Sequence, residues 1–212
     1  MREFTPFITY IILAVTCGVS LLTMERNDLK GKYMFNAYAI AHHREWWRFF
    51  THGVLHANFQ HLLFNMLSLF FFGPLVEQTF CSDALFGPKM GELNYLFLYV
   101  GGLFFSSLFT FFKERDNRYY NALGASGAVS SIVYAAILLY PTSTLRLYGA
   151  IPMQAWIYGV LYLVYSQYMS RRQVDNVGHD AHFWGAAYGF VLPILMKPVL
   201  ITAFIFQLKM VF

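Results

Sequence analysis

The chain has 212 residues, of which 58% are hydrophobic, 20% aromatic and only 12% charged. Soluble domains carry about twice that charged fraction, so the composition excludes an ordinary water-soluble globule and predicts one polytopic membrane bundle. The net charge of +4 is small and the basic residues are scattered through loops, which argues against nucleic-acid binding. The two cysteines, Cys17 and Cys81, provide neither a disulfide framework nor a cysteine-rich metal site.

Six apolar segments have roughly the length that a helix needs to cross a bilayer, which is about 20 residues. We therefore expect an all-α bundle of six transmembrane helices, forming a single domain over residues 1–212. An apolar tail follows the last span and either extends it or lies on the membrane. The predicted spans cover residues 6–23, 59–79, 93–112, 123–140, 147–169 and 181–201, and the tail covers 202–212.

The longest connection, residues 24–58, is too rich in charges and aromatic rings to be a plain linker. It contains Glu45-Trp46-Trp47-Arg48, and tryptophan is favoured where the membrane meets water. We therefore expect a long interfacial first loop, anchored by these tryptophans.

Polar residues inside a membrane are candidates for function, and here they stand at the heads of spans two, four and six. His61 and Asn65 begin span two, Ser126 begins span four and His182 begins span six. Alternate spans start on the same side of the membrane, so all four side chains are expected at one face. His61 and Asn65 are four residues apart and share a helix face.

Small residues predict that spans four and six pack closely. Span four begins with Gly124-Ala125-Ser126-Gly127, and span six carries Gly185 and Gly189 four residues apart. Small faces allow two helix backbones to approach each other. We expect these glycines to support a site in which Ser126 meets His182.

These residues suit acyl transfer. A serine hydroxyl becomes a nucleophile when a base takes its proton, and His182 is the available base. The oxyanion needs donors, which the unpaired N–H groups at the start of span four and the side chains of His61 and Asn65 provide. Asp180 is two residues from His182 and would face elsewhere on a helix, so we expect a dyad.

Each of these residues also has a structural explanation. A serine in a span often binds a carbonyl or permits packing, Asn65 alone can hold helices together, and Gly185 with Gly189 alone indicates packing. His52 and His56 are expected to brace the loop near the interface. The joint occurrence of the polar residues at one face favours a hydrolytic site.

Four ordered motifs resemble those of the rhomboid family of intramembrane serine proteases. The first loop has a similar Trp-Arg element, and span two has the spacing His-x4-His-x3-Asn. The nucleophile motif and the Ala-His-x2-Gly-x3-Gly base motif follow in spans four and six. The matching segments are Glu45 to Arg48, His56 to Asn65, Gly124 to Gly127 and Ala181 to Gly189.

The resemblance implies a six-helix bundle with a Ser126–His182 dyad in a water-filled cavity. It implies an oxyanion site formed by the Ser126 N–H, His61 and Asn65, and a bracing role for His56. We expect no cofactor or metal. Substrates in the family are membrane proteins that are cut in or near a transmembrane segment. They commonly enter between spans two and five.

The resemblance also implies a multi-pass protein with a cytoplasmic N-terminus, which we expect in the cell membrane of a bacterium. The charge pattern predicts the reverse orientation. Of the 15 lysines and arginines, most lie in connections on the side opposite to the termini, which the positive-inside rule places in the cytoplasm. We follow the resemblance.

One position departs from the family pattern. Many members carry an aromatic residue four positions after the serine, where it stacks on the base histidine. Ser130 stands there in this chain. The residue that orients His182 is therefore open, with Phe183 and Trp184 as candidates.

Two other functions stay open at this point. A histidine-box metal enzyme, such as a membrane desaturase or hydroxylase, would explain the histidine pairs but not Ser126 or the glycines. Few carboxylates are nearby, and the His-Glu-x-x-His motif does not occur. A non-catalytic rhomboid-like binding protein is the other alternative, although such members typically lack the serine or the histidine. The histidine pairs are His42-His43, His52-x3-His56 and His179-x2-His182.

Overall fold

The computed structural model describes residues 4–147, 151–172 and 179–211. Helices dominate, and one short antiparallel hairpin interrupts them. The helices are α1 Phe7–Thr23, α2 Asn27–Tyr33, α3 Ala37–His43, α4 Arg48–Thr51, a 3-10 turn His52–Val54, α5 Phe59–Cys81, α6 Pro88–Glu114, α7 Ser126–Leu139, α8 Ala155–Arg172, α9 His179–Met196 and α10 Val199–Lys209; the strands are β1 Thr144–Leu147 and β2 Ile151–Gln154.

The helices have the composition of a membrane bundle. Within the described chain, α5 and α6 are long and apolar enough to cross a membrane. Helices α9 and α10 meet this condition only when they are taken together as one span, with a bend of 113° between them. The apolar helices α1 and α7 are shorter, with 17 and 14 residues. The expected fold class, a polytopic helical membrane protein, is confirmed.

Helix α1 is polar towards the protein and apolar towards the outside. Its buried residues are Thr9, Thr16, Ser20 and Thr23, whereas Leu22 is among its most exposed side chains. A helix facing water has the opposite arrangement. This inversion fits a lipid environment, because a polar side chain is costly in hydrocarbon and is placed towards the interior of the bundle.

A buried carboxylate joins α1 to α5. Glu77 is 1% exposed and accepts hydrogen bonds from the N–H groups of Ile8 and Thr9 at 2.9 and 2.8 Å. The Thr9 hydroxyl donates to the same carboxylate at 2.6 Å. These N–H groups belong to the first turn of α1, which has no partners within the helix and carries positive dipole charge. The Glu77 side chain therefore caps α1 from a neighbouring helix.

Helix α7 is the centre of the bundle, and all its residues from Gly127 to Leu139 are buried. It packs against α9 through backbone contacts. A Cβ atom at Gly185 would overlap the carbonyl of Gly127, and one at Gly189 would overlap the backbone of Ser131. The Ser131 hydroxyl donates across this contact to Gly185 O at 2.9 Å. The spacing of the two glycines in α9 thus lets the two backbones touch.

The predicted span over residues 147–169 was wrong at its beginning. Strands β1 and β2 pair in antiparallel register from Thr144 opposite Gln154 to Leu147 opposite Ile151, and α8 begins only at Ala155. Pro152 lacks an N–H and disfavours helical geometry in the residue before it. Residues 151–154 accordingly form a strand and not the first turn of the helix.

Two other boundaries differ from the expectation. The span predicted from residue 123 begins as a helix at Ser126, because Gly124 has a φ of +121°, which belongs to a turn. The tail predicted over 202–212 contains most of α10, which is bent away from α9.

The first loop is braced by a buried arginine. Arg48 is buried and donates to the carbonyls of Gly31 and Met34 at 3.0 and 2.7 Å, while it also pairs with Glu45. Trp46 and Trp47 are 56% and 46% exposed. The Glu45–Arg48 motif therefore combines an internal brace with two outward-facing tryptophans, of which sequence analysis anticipated only the tryptophans.

We predict that Gly189→Ala destabilises the protein by about 1–3 kcal/mol or more, because the added methyl group meets rigid backbone of α7. Gly18→Ala in α1 is the matched control, since nothing lies within 4 Å of its Cβ position and alanine favours helices. Thermal unfolding in detergent measures both variants. Equal unfolding temperatures for Gly189→Ala and the wild type would contradict the close packing of α7 on α9.

Candidate active site

A cavity of about 1080 Å³ opens between α5, α6, α7, α8 and α9. Ser126, His182, His61 and Asn65 all line it. The heads of the second, fourth and sixth predicted spans therefore meet at one cavity, as the counting of spans predicted. Gly124 and Gly127 are also part of its wall.

Ser126 is the first residue of α7. The turn before it depends on Gly124, whose φ is +121° and whose N–H donates to His52 O at 2.9 Å. The N–H groups of the first turn have no partner within the helix, and the helix dipole makes this end positive. The Ser126 side chain thus lies beside backbone donors of the kind that stabilise an oxyanion.

His61 and Asn65 form the α5 side of the cavity. Asn65 is 6% exposed, and its amide donates one N–H to His61 O at 3.0 Å. The amide has a second N–H, which leaves a donor for a ligand. The His61 ring lies directly over Gly124, where a Cβ atom would approach Cε1 to 2.6 Å. Glycine at 124 is thus required both by backbone geometry and by the His61 ring.

His56 connects α1 to the start of α7. It is completely buried, with Nδ1 at 2.8 Å from Ser20 Oγ and Nε2 at 3.5 Å from Ala125 N. The Ser20 hydroxyl donates to Val54 O, so it accepts from Nδ1–H and leaves Nε2 to accept from Ala125. The neutral ring with its proton on Nδ1 satisfies all these partners, and this arrangement fits the predicted bracing role.

Burial keeps both loop histidines neutral. Loss of hydration, together with the nearby rings of His61 and His52, lowers the pKa of His56 to about 3. Burial also lowers the pKa of His52 to about 4. The His52 ring packs edge-on against Phe35 at 5.9 Å between ring centres. Like His56, it belongs to the packed support of the turn before α7.

An aromatic ring stacks on His182, and it comes from α8. The Tyr162 ring lies 6.1 Å from the imidazole, centre to centre, with 25° between the planes. The Tyr162 and Ser130 hydroxyls share a hydrogen bond of 3.0 Å. Trp184, one of the two candidates from sequence, packs against Phe109 of α6 at 5.4 Å. The role of Tyr162 was not predictable from the sequence, since no local spacing links residue 162 to residue 182.

Two further features of the wall were not anticipated. Asp180, in the first turn of α9, forms an ion pair of 3.1 Å with Lys113 of α6, and both residues line the cavity. Ser106, Ser107 and Thr110 give the α6 wall a polar face. A serine in a helix commonly bonds its own backbone, as Ser106 and Ser107 do, so only the fold reveals that these residues line a cavity.

The histidine pairs do not gather into a metal site within the described part of the chain. No group of three or more His, Cys, Asp or Glu residues there is placed to hold an ion. His52 and His56 serve the turn before α7, and His42 lies within 3.5 Å of the Asp116 carboxylate at the surface. The His179 side chain lies outside what the structure describes.

Comparison with known protein families identifies the family of this chain. The sequence pattern of the family described as Rhomboid domain matches residues 43–199, which is most of the chain. The chain belongs to the rhomboid family. The match begins at the end of α3 and ends at the first residue of α10, and it includes all the predicted site residues. The family membership that the four sequence motifs predicted is confirmed.

Three rhomboid relatives are similar over much of this length. The chain is 30% identical over 153 residues to a protein of Bacillus subtilis named putative rhomboid protease YdcA, covering 71% of this chain and 67% of that protein. It is 29% identical over 148 residues to RHOMBOID-like protein 12, mitochondrial, of Arabidopsis thaliana, covering 65% and 42%. It is 37% identical over 120 residues to RHOMBOID-like protein 1 of the same plant, covering 57% and 26%.

We predict that the folded rhomboid loses stability as the pH falls from about 7 towards 4. An unfolded histidine takes up a proton near pH 6.5, whereas folded His56 resists protonation until a pH of about 3. Protons therefore bind the unfolded chain preferentially in this range, and the stability present above pH 6.5 is lost on acidification.

Thermal unfolding at several pH values checks this prediction. His56→Asn is expected to flatten the pH dependence, while lowering stability at neutral pH because bonds to Ser20 and Ala125 are disturbed. The control is His43→Asn, at an exposed position of α3, which should keep the wild-type slope. An unchanged slope in His56→Asn would rule out His56 as a source of the acid sensitivity.

Proposed function

We propose that this rhomboid is an intramembrane serine endopeptidase that cleaves transmembrane or membrane-adjacent segments of other membrane proteins. The observation that carries the proposal is the shared cavity, which brings Ser126, His182, His61 and Asn65 together from three helices. The Bacillus relative, which is named a putative rhomboid protease, supports it. The presence of both Ser126 and His182 at this cavity favours an enzyme over a relative that binds segments without cutting them.

In the proposed reaction, Ser126 Oγ attacks the scissile carbonyl while His182 accepts the hydroxyl proton. The carbonyl oxygen becomes an oxyanion, which the Ser126 N–H, Asn65 Nδ2–H and the His61 ring stabilise. His182 then donates its proton to the leaving amine, and the C–N bond breaks to give an acyl-enzyme. Water attacks the ester in the second half, with His182 again taking the proton, and this step releases the acid and restores Ser126.

Water and substrate reach the site by different routes in this proposal. The polar wall of α6, with Ser106 and Ser107, and the charged end lined by Lys113 and Asp180 suit the entry of water. The substrate enters sideways between α5 and α8. This assignment is supported by Phe64 of α5, which lines the cavity and is also 55% exposed at the surface of the bundle.

The substrate segment has to leave its helical form before it can react. Backbone carbonyls of a helix are occupied by N–H groups four residues along, and the residue to be cut needs its carbonyl in reach of Ser126 and the oxyanion donors. A substrate segment with helix-weakening residues near the cut therefore suits this site. No cofactor or metal takes part in the proposed reaction.

We further infer a multi-pass protein of a bacterial cell membrane with its N-terminus in the cytoplasm. The family resemblance supports the orientation, and the bacterial source of one relative, Bacillus subtilis, supports the choice of membrane. The cavity would then open on the outer side of the membrane, where the basic first loop lies.

Cleavage of a reconstituted transmembrane substrate tests the proposed function. Ser126→Ala and His182→Ala are expected to show no cleavage above background. Asn65→Ala is expected to lower kcat by about 10- to 1000-fold, the effect of losing one oxyanion donor. Cleavage by purified Ser126→Ala would refute the proposed nucleophile.

Asn94→Ala provides the matched control for Asn65→Ala. Asn94 lies in the first part of α6, whereas the residues of α6 that line the cavity begin at Ser106. This variant should cleave at the wild-type rate. A wild-type rate for Asn65→Ala as well would show that Asn65 is not an oxyanion donor.

A further inference from the structure

Tyr162 touches both of the helices that carry the proposed dyad. Its ring stacks on His182 of α9 at 6.1 Å and 25°, and its hydroxyl bonds to Ser130 of α7 at 3.0 Å. Two more tyrosine rings pack against it, Tyr134 at 6.0 Å and Tyr158 at 5.9 Å between ring centres. The ring is therefore fixed at its face and at its hydroxyl end.

We propose that Tyr162 is the positioning residue of His182, which rests on the proposed function of Ser126 and His182. An imidazole turns about two side-chain bonds, and the second of these has a broad, weakly restricted torsion. A general base works only when its nitrogen lies within hydrogen-bond reach of the proton that it takes. A ring stacked parallel to the imidazole limits this torsion and keeps the nitrogen directed towards Ser126.

Ser130 makes this arrangement possible in two ways. It stands four residues after Ser126, one helical turn further into α7, and its small side chain leaves room for the Tyr162 ring. Its hydroxyl also gives the Tyr162 hydroxyl a hydrogen-bond partner in an apolar surrounding, where an unpaired hydroxyl would be costly. The serine at 130 and the tyrosine at 162 are therefore one unit, divided between α7 and α8.

A positioning role and a merely structural role predict different measurements. If Tyr162 only fills space, its loss lowers the unfolding temperature and the amount of folded enzyme, while each folded molecule turns over normally. If Tyr162 orients His182, kcat per folded molecule falls and KM stays the same, because substrate binding does not use the base.

The experiment measures kcat and KM for cleavage of a transmembrane substrate, with folded enzyme counted by size-exclusion chromatography. Tyr162→Leu removes the ring and should lower kcat by about 10- to 100-fold, the usual effect of misplacing a reacting group. Tyr162→Phe keeps the ring and should lose only about two- to tenfold, the equivalent of one hydrogen bond. Tyr165→Leu on the same helix is the control and should keep the wild-type kcat.

A double-mutant cycle tests the link to Ser130. Ser130→Ala should match the small loss of Tyr162→Phe, and the double variant should be no worse than the stronger single one, because both changes remove the same bond. Fully additive losses would overturn the paired role of Ser130 and Tyr162. This cycle keeps the ring, so it still decides the link between Ser130 and Tyr162 if Tyr162→Leu does not fold.

The same assay separates failure of this inference from failure of the proposed function. An inactive wild type, or an active Ser126→Ala, would refute the protease itself. An active wild type beside folded Tyr162→Leu with unchanged kcat would refute only the positioning role of Tyr162. A kcat for Tyr162→Phe as low as that for Tyr162→Leu would show that the ring is not what matters.

Discussion

The backbone contact between α7 and α9 is the constraint on which the rest of the structure depends. Gly185 lies against the carbonyl of Gly127, and Gly189 lies against the backbone of Ser131. In the first of these contacts, Gly127 directly follows Ser126 in the sequence and Gly185 lies three residues after His182. The separation of the two candidate reactive side chains is thus set by packing that admits no Cβ atom on α9.

Contacts around the turn before α7 hold the candidate oxyanion donors in place. The turn before α7 is fixed by Gly124, whose N–H bonds to His52 and whose open face receives the His61 ring. His56 secures the next residue, Ala125, to α1. Preorganised donors of this kind stabilise a developing charge without reorganising during the reaction. The buried neutral histidines are part of that rigidity, and the predicted loss of stability in acid follows from their burial.

The sequence predicted the features that depend on local pattern. Apolar runs located the helices, and the count of spans brought Ser126, His182, His61 and Asn65 to one face, where the structure places a cavity. The glycines of α9 correctly indicated close packing with α7. These signals are strong because membrane helices are simple in composition and because alternate helices must start on the same side.

Features that depend on contacts between distant residues were not predictable. The Glu77 cap of α1 and the Tyr162 stack on His182 join segments that no spacing relates. The strands β1 and β2 lie in and beside an apolar run that resembled a span, although Pro152 is a residue that disfavours a helix. The sequence showed that Ser130 replaces the aromatic residue of the family pattern. The consequence of this replacement became clear only from the position of the Tyr162 ring.

The central claim is that Ser126 is a nucleophile activated by His182. The most direct measurement is mass-spectrometric mapping of the adduct formed by a fluorophosphonate probe on the purified protein in detergent. The account predicts a single adduct on Ser126 in the wild type and its loss in His182→Ala that remains folded. An adduct on another residue, or undiminished labelling of Ser126→Ala, would contradict the account.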